Sequence, residues 1–387
     1  MTAALRRYFA TERTPGAVPE LDGLRALAIL LVLLRHATLA FPMPERIFPV
    51  GSWDAATPLR NGWAGVDLFF VLSGFLITFH LLRRWPAQPS AGTVGRYLAK
   101  RALRIVPAYY AWLLFVAFVP LPHYPLTRDH LGWRLAYHLA FLQDYLPADF
   151  VVAFWSLGVE EKFYLLAPLV IVPLLGIRHR AVPLAVLLLL AAAPLAARAL
   201  VYANVSDGTY STYFFALRSP FHMSADGLWI GSAAAFVYAA WDEAGVRPRG
   251  ALFLVPAIAI LGATLWTTPL LGEIGRFQGI AMGSVLAVGF GALLLGVLAG
   301  VGPRLRALLG SWPLLCLSRL SYSLYLVHMV FLTSVYAGLG SWLGWTGWSA
   351  GARFLLYAPA LLIVCLAAAA VLHYTVEKPF LLLKDRL

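Results

Sequence analysis

In the segment Leu21–Ala37, Arg25 and His36 stand eleven positions apart, with nine apolar residues and a second arginine, Arg35, between them. At 100° per residue that spacing returns both side chains to within roughly 20° of one helical face, roughly 16 Å apart along the axis. A charged or titratable group in a helix of membrane length costs free energy unless it faces protein, water or a ligand, so the pair reads as functional. A neutral imidazole is suited to taking a proton from a hydroxyl, which makes His36 a candidate general base.

Other groups of the same kind recur along the chain. Asp67 lies within Gly65–Ile77, Arg101 and Arg104 stand three apart, Glu160 and Glu161 lie within Trp155–Tyr164, and Tyr325 and His328 lie within Ser321–His328. A carboxylate on the second ring nitrogen would fix the tautomer of a histidine base. Asp67 and Glu160 are the candidates for that position, and a structural ion pair between Asp67 and an arginine such as Arg25 is the alternative. Glu160 and Glu161 diverge by about 100° on a helix, so one is expected to face the site and the other a structural partner such as Lys162. Ser156, Tyr325 and His328 could contact substrate or serve helix packing. Arg218, His222 and Asp226, at spacings of four, are expected to share a helical face and pair with one another.

The elements that must hold these residues are membrane spans. The chain is 61% hydrophobic and 12% charged, with a mean hydropathy of +0.76, outside the range of ordinary soluble domains. Apolar runs fall at about 24–41, 64–82, 105–121, 154–175, 182–201, 213–240, 251–267, 278–300, 312–338 and 353–375. The expected fold is therefore all-α, a polytopic membrane bundle of about ten transmembrane helices. One domain is expected over 1–387, its bundle at about 20–375.

The net charge of +12 is distributed by loop. Arg6, Arg7 and Arg13 precede the first run, and Arg83, Arg84, Arg96, Lys100, Arg101 and Arg104 follow the second. Such asymmetry predicts that both termini are cytoplasmic, and argues against nucleic acid as the reason for the charge. The first run is of spanning length and carries Arg25 inside it, so it is expected to remain as a helix and not to be cleaved. Residues 87–93 are expected to form a short cytoplasmic turn, and 122–153 an extracytoplasmic cap or re-entrant segment. Cys316 and Cys365 fall within apolar runs and are expected to be inert, buried thiols. No phosphate-binding glycine loop and no Cys/His zinc spacing is present, so no metal is expected.

The order of these motifs resembles the acyltransferase-3 superfamily of membrane-bound O-acyltransferases, in members without a fused SGNH domain. The resemblance rests on Leu21–Ala37 with its Arg-x10-His spacing, on Gly65–Ile77, on Arg101/Arg104, on Trp155–Tyr164 and on Tyr322–His328. It implies a bacterial inner-membrane enzyme that moves a short acyl group, acetyl foremost, from cytoplasmic acyl-coenzyme A to a sugar hydroxyl of a surface polysaccharide, lipopolysaccharide or related glycoconjugate. On that footing His36, Asp67 and Glu160 are the candidate catalytic set, and Arg25, Arg101 and Arg104 would hold the donor's phosphates, to which arginine offers planar multidentate donors. Ser156, Glu161, Tyr325 and His328 would contact the acceptor. Two positions depart from the common family pattern: Lys162 stands where glutamine is frequent, and Met329-Val330 where Trp-Pro is frequent. A covalent acyl-enzyme on His36 or a serine is an alternative route. The rival reading from another class is a proton-coupled transporter or exporter using the same charges.

Overall fold

The computed structural model describes residues 18–42, 45–86, 90–205, 209–267 and 274–387. Arg6, Arg7 and Arg13, and residues 87–89 of the expected turn, lie outside them. Among the described residues the long helices are α1 (Pro19–Ala37), α2 (Gly65–Arg84), α3 (Ala91–Phe118), α4 (Trp155–Leu175), α5 (Ala181–Val205), α6 (Asp226–Ala244), α7 (Ala251–Thr267), α8 (Met282–Ala299), α9 (Trp312–Leu343) and α10 (Ala350–Leu372). Among the described residues, seven helical segments are long and apolar enough to cross a membrane. Those built on α4, α6 and α7 are not among the seven. Helix α4 carries the Glu160-Glu161-Lys162 triplet, α6 is bounded by Asp226 and by Asp242-Glu243, and α7 is short.

Local sequence sets the ends of these helices. Pro19 begins α1, acidic Glu20 and Asp22 sit in its first turn, and Arg35 and His36 in its last, which matches the helix dipole at both ends. Helix α3 starts at a reciprocal Ser90/Thr93 capping box, so the basic lead-in and the apolar run form one helix. The segment at 213–240 is not one helix as expected. It is a π-helical turn (Tyr213–Arg218), a short helix (Phe221–Ser224) and then α6, because Pro220 lacks the amide that would continue the ladder.

Helices α1 and α2 contribute to both large apolar clusters of the core. Ile29, Val32 and Phe70 belong to the first, and Leu24, Leu68 and Phe75 to the second. Against α2 lies α6, at a separation that glycine alone permits: a Cβ on Gly74 would fall 1.9 Å from the Leu228 carbonyl oxygen, and one on Gly231 2.0 Å from that of Val71. The outer surface is apolar, with Leu169, Leu189 and Leu200 each more than 70% exposed. Large apolar side chains in that state belong against lipid. The molecule is an all-α membrane bundle.

The segment at 122–153 holds a helix at Leu131–Leu139 and left-handed backbone at His123, His130 and Phe141. Lys162 of α4 fastens it, donating to the Phe141 carbonyl (2.7 Å) and the Asp144 carboxylate (2.5 Å). Lys162 is thus spent on holding this segment. The link from α1 to α2 is fastened by Asp54, which accepts from the backbone amides of Ile47, Phe48 and Ala56, and from Arg60.

Candidate active site

Two cavities occupy opposite ends of α1. The larger, about 460 Å³, is lined by Arg25 of α1, by Ser73 and His80 of α2, by Arg101 and Arg104 of α3, and by Ser156, Glu160 and Tyr164 of α4. Three arginines converging on one space would hold several phosphate oxygens at once. Arg25 is 3.8 Å from the Asp22 carboxylate. Glu160, on the same wall, accepts from the Ser73 hydroxyl (2.8 Å) and the Tyr164 hydroxyl (3.2 Å).

The smaller cavity, about 170 Å³, lies at the C-terminal end of α1. It is lined by Arg35 and His36, by Trp63 before α2, by Val152, Ala153 and Trp155, by Tyr210, Tyr213 and Arg218 around the π-helical turn, and by Met329 of α9. Val66 and Tyr325 line both cavities and form a common wall. The Tyr325 hydroxyl donates to the Ala153 carbonyl (2.8 Å), which leaves its oxygen to accept from Ser156 Oγ at 2.6 Å. These bonds hold the ring across the junction.

The two histidines fix each other. His328 Nδ1 is 2.7 Å from the Tyr325 carbonyl, and a carbonyl can only accept, so in the neutral ring that nitrogen carries the proton and Nε2 is bare. His36 Nδ1 is 2.9 Å from the Val32 carbonyl and 3.1 Å from His328 Nε2, so it too is the protonated nitrogen, facing two acceptors. The second nitrogen of His36, Nε2, is then the bare one. His36 has the proton distribution of a base without a carboxylate beside it.

Neither expected carboxylate orients His36. Asp67 is fully buried and accepts two parallel bonds from the Arg218 guanidinium, 2.8 Å each, which Trp63 and Trp155 flank at 5.0 and 5.1 Å. The expected ion pair exists, but its partner is Arg218 and not Arg25. The Arg218/His222/Asp226 ladder does not form either, because the break at Pro220 turns the three apart. Arg218 goes to Asp67, Asp226 accepts from Arg198 (2.9 Å), and His222 meets the Tyr145 hydroxyl (3.0 Å).

Of the remaining expected site residues, Ser156 lines the larger cavity and His328 acts on His36. Glu161 lines neither cavity, and its Oε1 is buried without a hydrogen-bond partner. Sequence reading missed the aromatic wall of the smaller cavity and the presence of Arg35 and Met329 in it. Arg35 carried a signal, being a second arginine in an apolar helix; Tyr210 and Tyr213 carried none that sets them apart from other aromatics. Both cysteines are free, Cys365 buried and Cys316 half-buried.

A family profile described as an acyltransferase domain matches residues 18–373. The chain is 27% identical over 335 residues to the peptidoglycan O-acetyltransferase OatA of Listeria monocytogenes, covering 82% of this chain and 49% of that protein. It is 28% identical over 346 residues to the O-acetyltransferase OatA of Staphylococcus aureus, covering 84% and 52%. The chain spans about half the length of these curated relatives. No solved structure matches it. With the profile matched from the start of α1 to the end of α10, the chain belongs to the acyltransferase-3 family.

Proposed function

We propose that this protein is a bacterial inner-membrane O-acyltransferase that moves an acetyl group from acetyl-coenzyme A to a hydroxyl of a cell-surface glycan. The observation that carries the reading is the pair of cavities at the two ends of α1, one lined by three arginines and the other by His36, with Val66 and Tyr325 as their shared wall. The relatives' names supply the glycan as acceptor class. The basic loops support ten crossings with both termini cytoplasmic, which puts the arginine-lined cavity on the donor's side and His36 on the other.

In this reading Arg25, Arg101 and Arg104 hold the phosphates of the donor, and its thioester reaches the wall at Tyr325. The acceptor hydroxyl gives its proton to His36 Nε2 as its oxygen attacks the thioester carbonyl carbon. The carbon–sulfur bond then breaks, and the thiolate leaves with the proton returned by the imidazolium. His328 and the Val32 carbonyl share the His36 Nδ1 proton and stabilise the imidazolium meanwhile, the task a carboxylate performs in a hydrolase triad. Asp67 supports the site indirectly by holding Arg218, and Glu160 by holding Ser73 and Tyr164.

The test is acetyl-coenzyme A-dependent formation of O-acetyl esters on cell-wall glycan oligosaccharides by the purified protein in lipid nanodiscs. Esters that appear with donor and not without it support the reading. Proton-coupled solute flux in proteoliposomes with no ester formation would replace it with the transporter.

A further inference from the structure

Five arginines are buried among the described residues: Arg35, Arg60, Arg134, Arg198 and Arg218. Four have a carboxylate within ion-pair distance: Asp54, Asp149, Asp226 and Asp67 respectively. Arg35, 5% exposed, has none among the described residues. Its partners are neutral hydroxyls: that of Thr38, 3.4 Å from Nη1, and that of Tyr210. Burying an uncompensated cation is costly, and the four paired arginines show the arrangement this chain otherwise adopts. Arg35 differs in a second way, since it lines the smaller cavity beside His36. Arg218 lines that cavity too, but Asp67 already neutralises it.

We infer that the smaller cavity takes an anionic sugar, with a carboxylate of the acceptor pairing with Arg35 while a nearby hydroxyl faces His36. The inference rests on reading this cavity as the acceptor site. Arg35 and His36 are consecutive, so carboxylate and acylated hydroxyl belong to the same or adjoining sugar rings. The tyrosines and tryptophans of the wall offer ring faces and hydroxyls to the rest of the sugar. A neutral sugar would leave the Arg35 charge buried and unmatched, so the site discriminates by charge and by shape together.

The test separates binding from turnover. A glucuronic-acid disaccharide and its carboxyl-reduced, neutral counterpart are titrated against the protein in nanodiscs. Tryptophan fluorescence gives the dissociation constants, since Trp63 and Trp155 line the cavity. The wild type is expected to bind the uronate about tenfold or more tightly than the neutral sugar, the scale of one charge-assisted hydrogen bond. Arg35→Gln abolishes the preference, bringing uronate affinity to that of the neutral sugar. Arg35→Lys, which keeps the charge and loses the fork, weakens uronate several-fold, and decides the matter if the glutamine variant does not assemble. Equal binding of the two sugars by the wild type, or an unchanged preference in either variant, overturns the inference. So does a fall in kcat for both acceptors alike in Arg35→Gln, with no charge preference in KM, which would make Arg35 an oxyanion stabiliser. If the preference stands while cell-wall glycan oligosaccharides are not acetylated from acetyl-coenzyme A, the acyltransferase reading falls and the anion site survives.

Discussion

His36 draws its orientation from a backbone carbonyl one helical turn earlier and from a second histidine 292 positions away in the chain. The sequence marks both histidines as site candidates, because each is a titratable group in an apolar run. It does not mark them as partners, since nothing local encodes a contact across helices. Asp67 shows the same limit. A buried acid needs a cation, and sequence reading offered Arg25, but the partner that packing supplies is Arg218, 151 positions away. That pair predicts a stability effect. Asp67→Asn strands the Arg218 charge in the core and should cost about 3 to 5 kcal/mol in denaturant unfolding from mixed micelles, while Asp67→Asn with Arg218→Met recovers most of the loss. A double variant no more stable than the single would contradict the pairing as the source of the effect.

At the scale of elements, the long helices were legible because apolar runs of spanning length have few other solutions, and their ends because caps and prolines are local signals. What lies between them was not. The break at Pro220 was visible as a proline, yet a proline can kink or terminate a helix, and tertiary packing decides which. The link between α1 and α2, which brings Trp63 to the smaller cavity, was equally silent. Asp54 ties it together. Burial disfavours its charge, but the backbone amides of Ala56, Phe48 and Ile47, with Arg60, outweigh burial and hold its carboxyl below the ordinary value. A depressed carboxyl contributes stability in full above its ordinary pKa, 3.8 here, and loses it as pH falls through the folded value. The thermal midpoint of the wild type should therefore drop below about pH 4 more steeply than that of Asp54→Asn. At neutral pH the variant should be less stable by about 1.5 to 3 kcal/mol. Identical acid profiles for the two proteins would show that Asp54 does not hold the link.

At the scale of the whole molecule, the feature of most consequence is that the arginine-lined cavity and the His36 cavity sit at opposite ends of one helix and meet at Val66 and Tyr325. Family motifs gave Arg25, Arg101 and Arg104 at one end and His36 at the other, while the division into two spaces came from the packing of α1, α2, α4 and α9. If the donor enters from one side and the acceptor from the other, Val94→Cys, at the start of α3, and Val152→Cys, at the mouth of the smaller cavity, will be labelled by an impermeant maleimide from opposite faces of sealed vesicles. Labelling from the same face would refute that arrangement. The most direct test of the account is a single-turnover measurement of labelled acetyl transfer from acetyl-coenzyme A to glycan oligosaccharide in nanodiscs, comparing wild type with His36→Ala while donor binding is followed separately. Transfer should fall by about 10²- to 10⁴-fold with donor affinity unchanged, as expected for removal of a general base. Transfer at the wild-type rate in His36→Ala would contradict it.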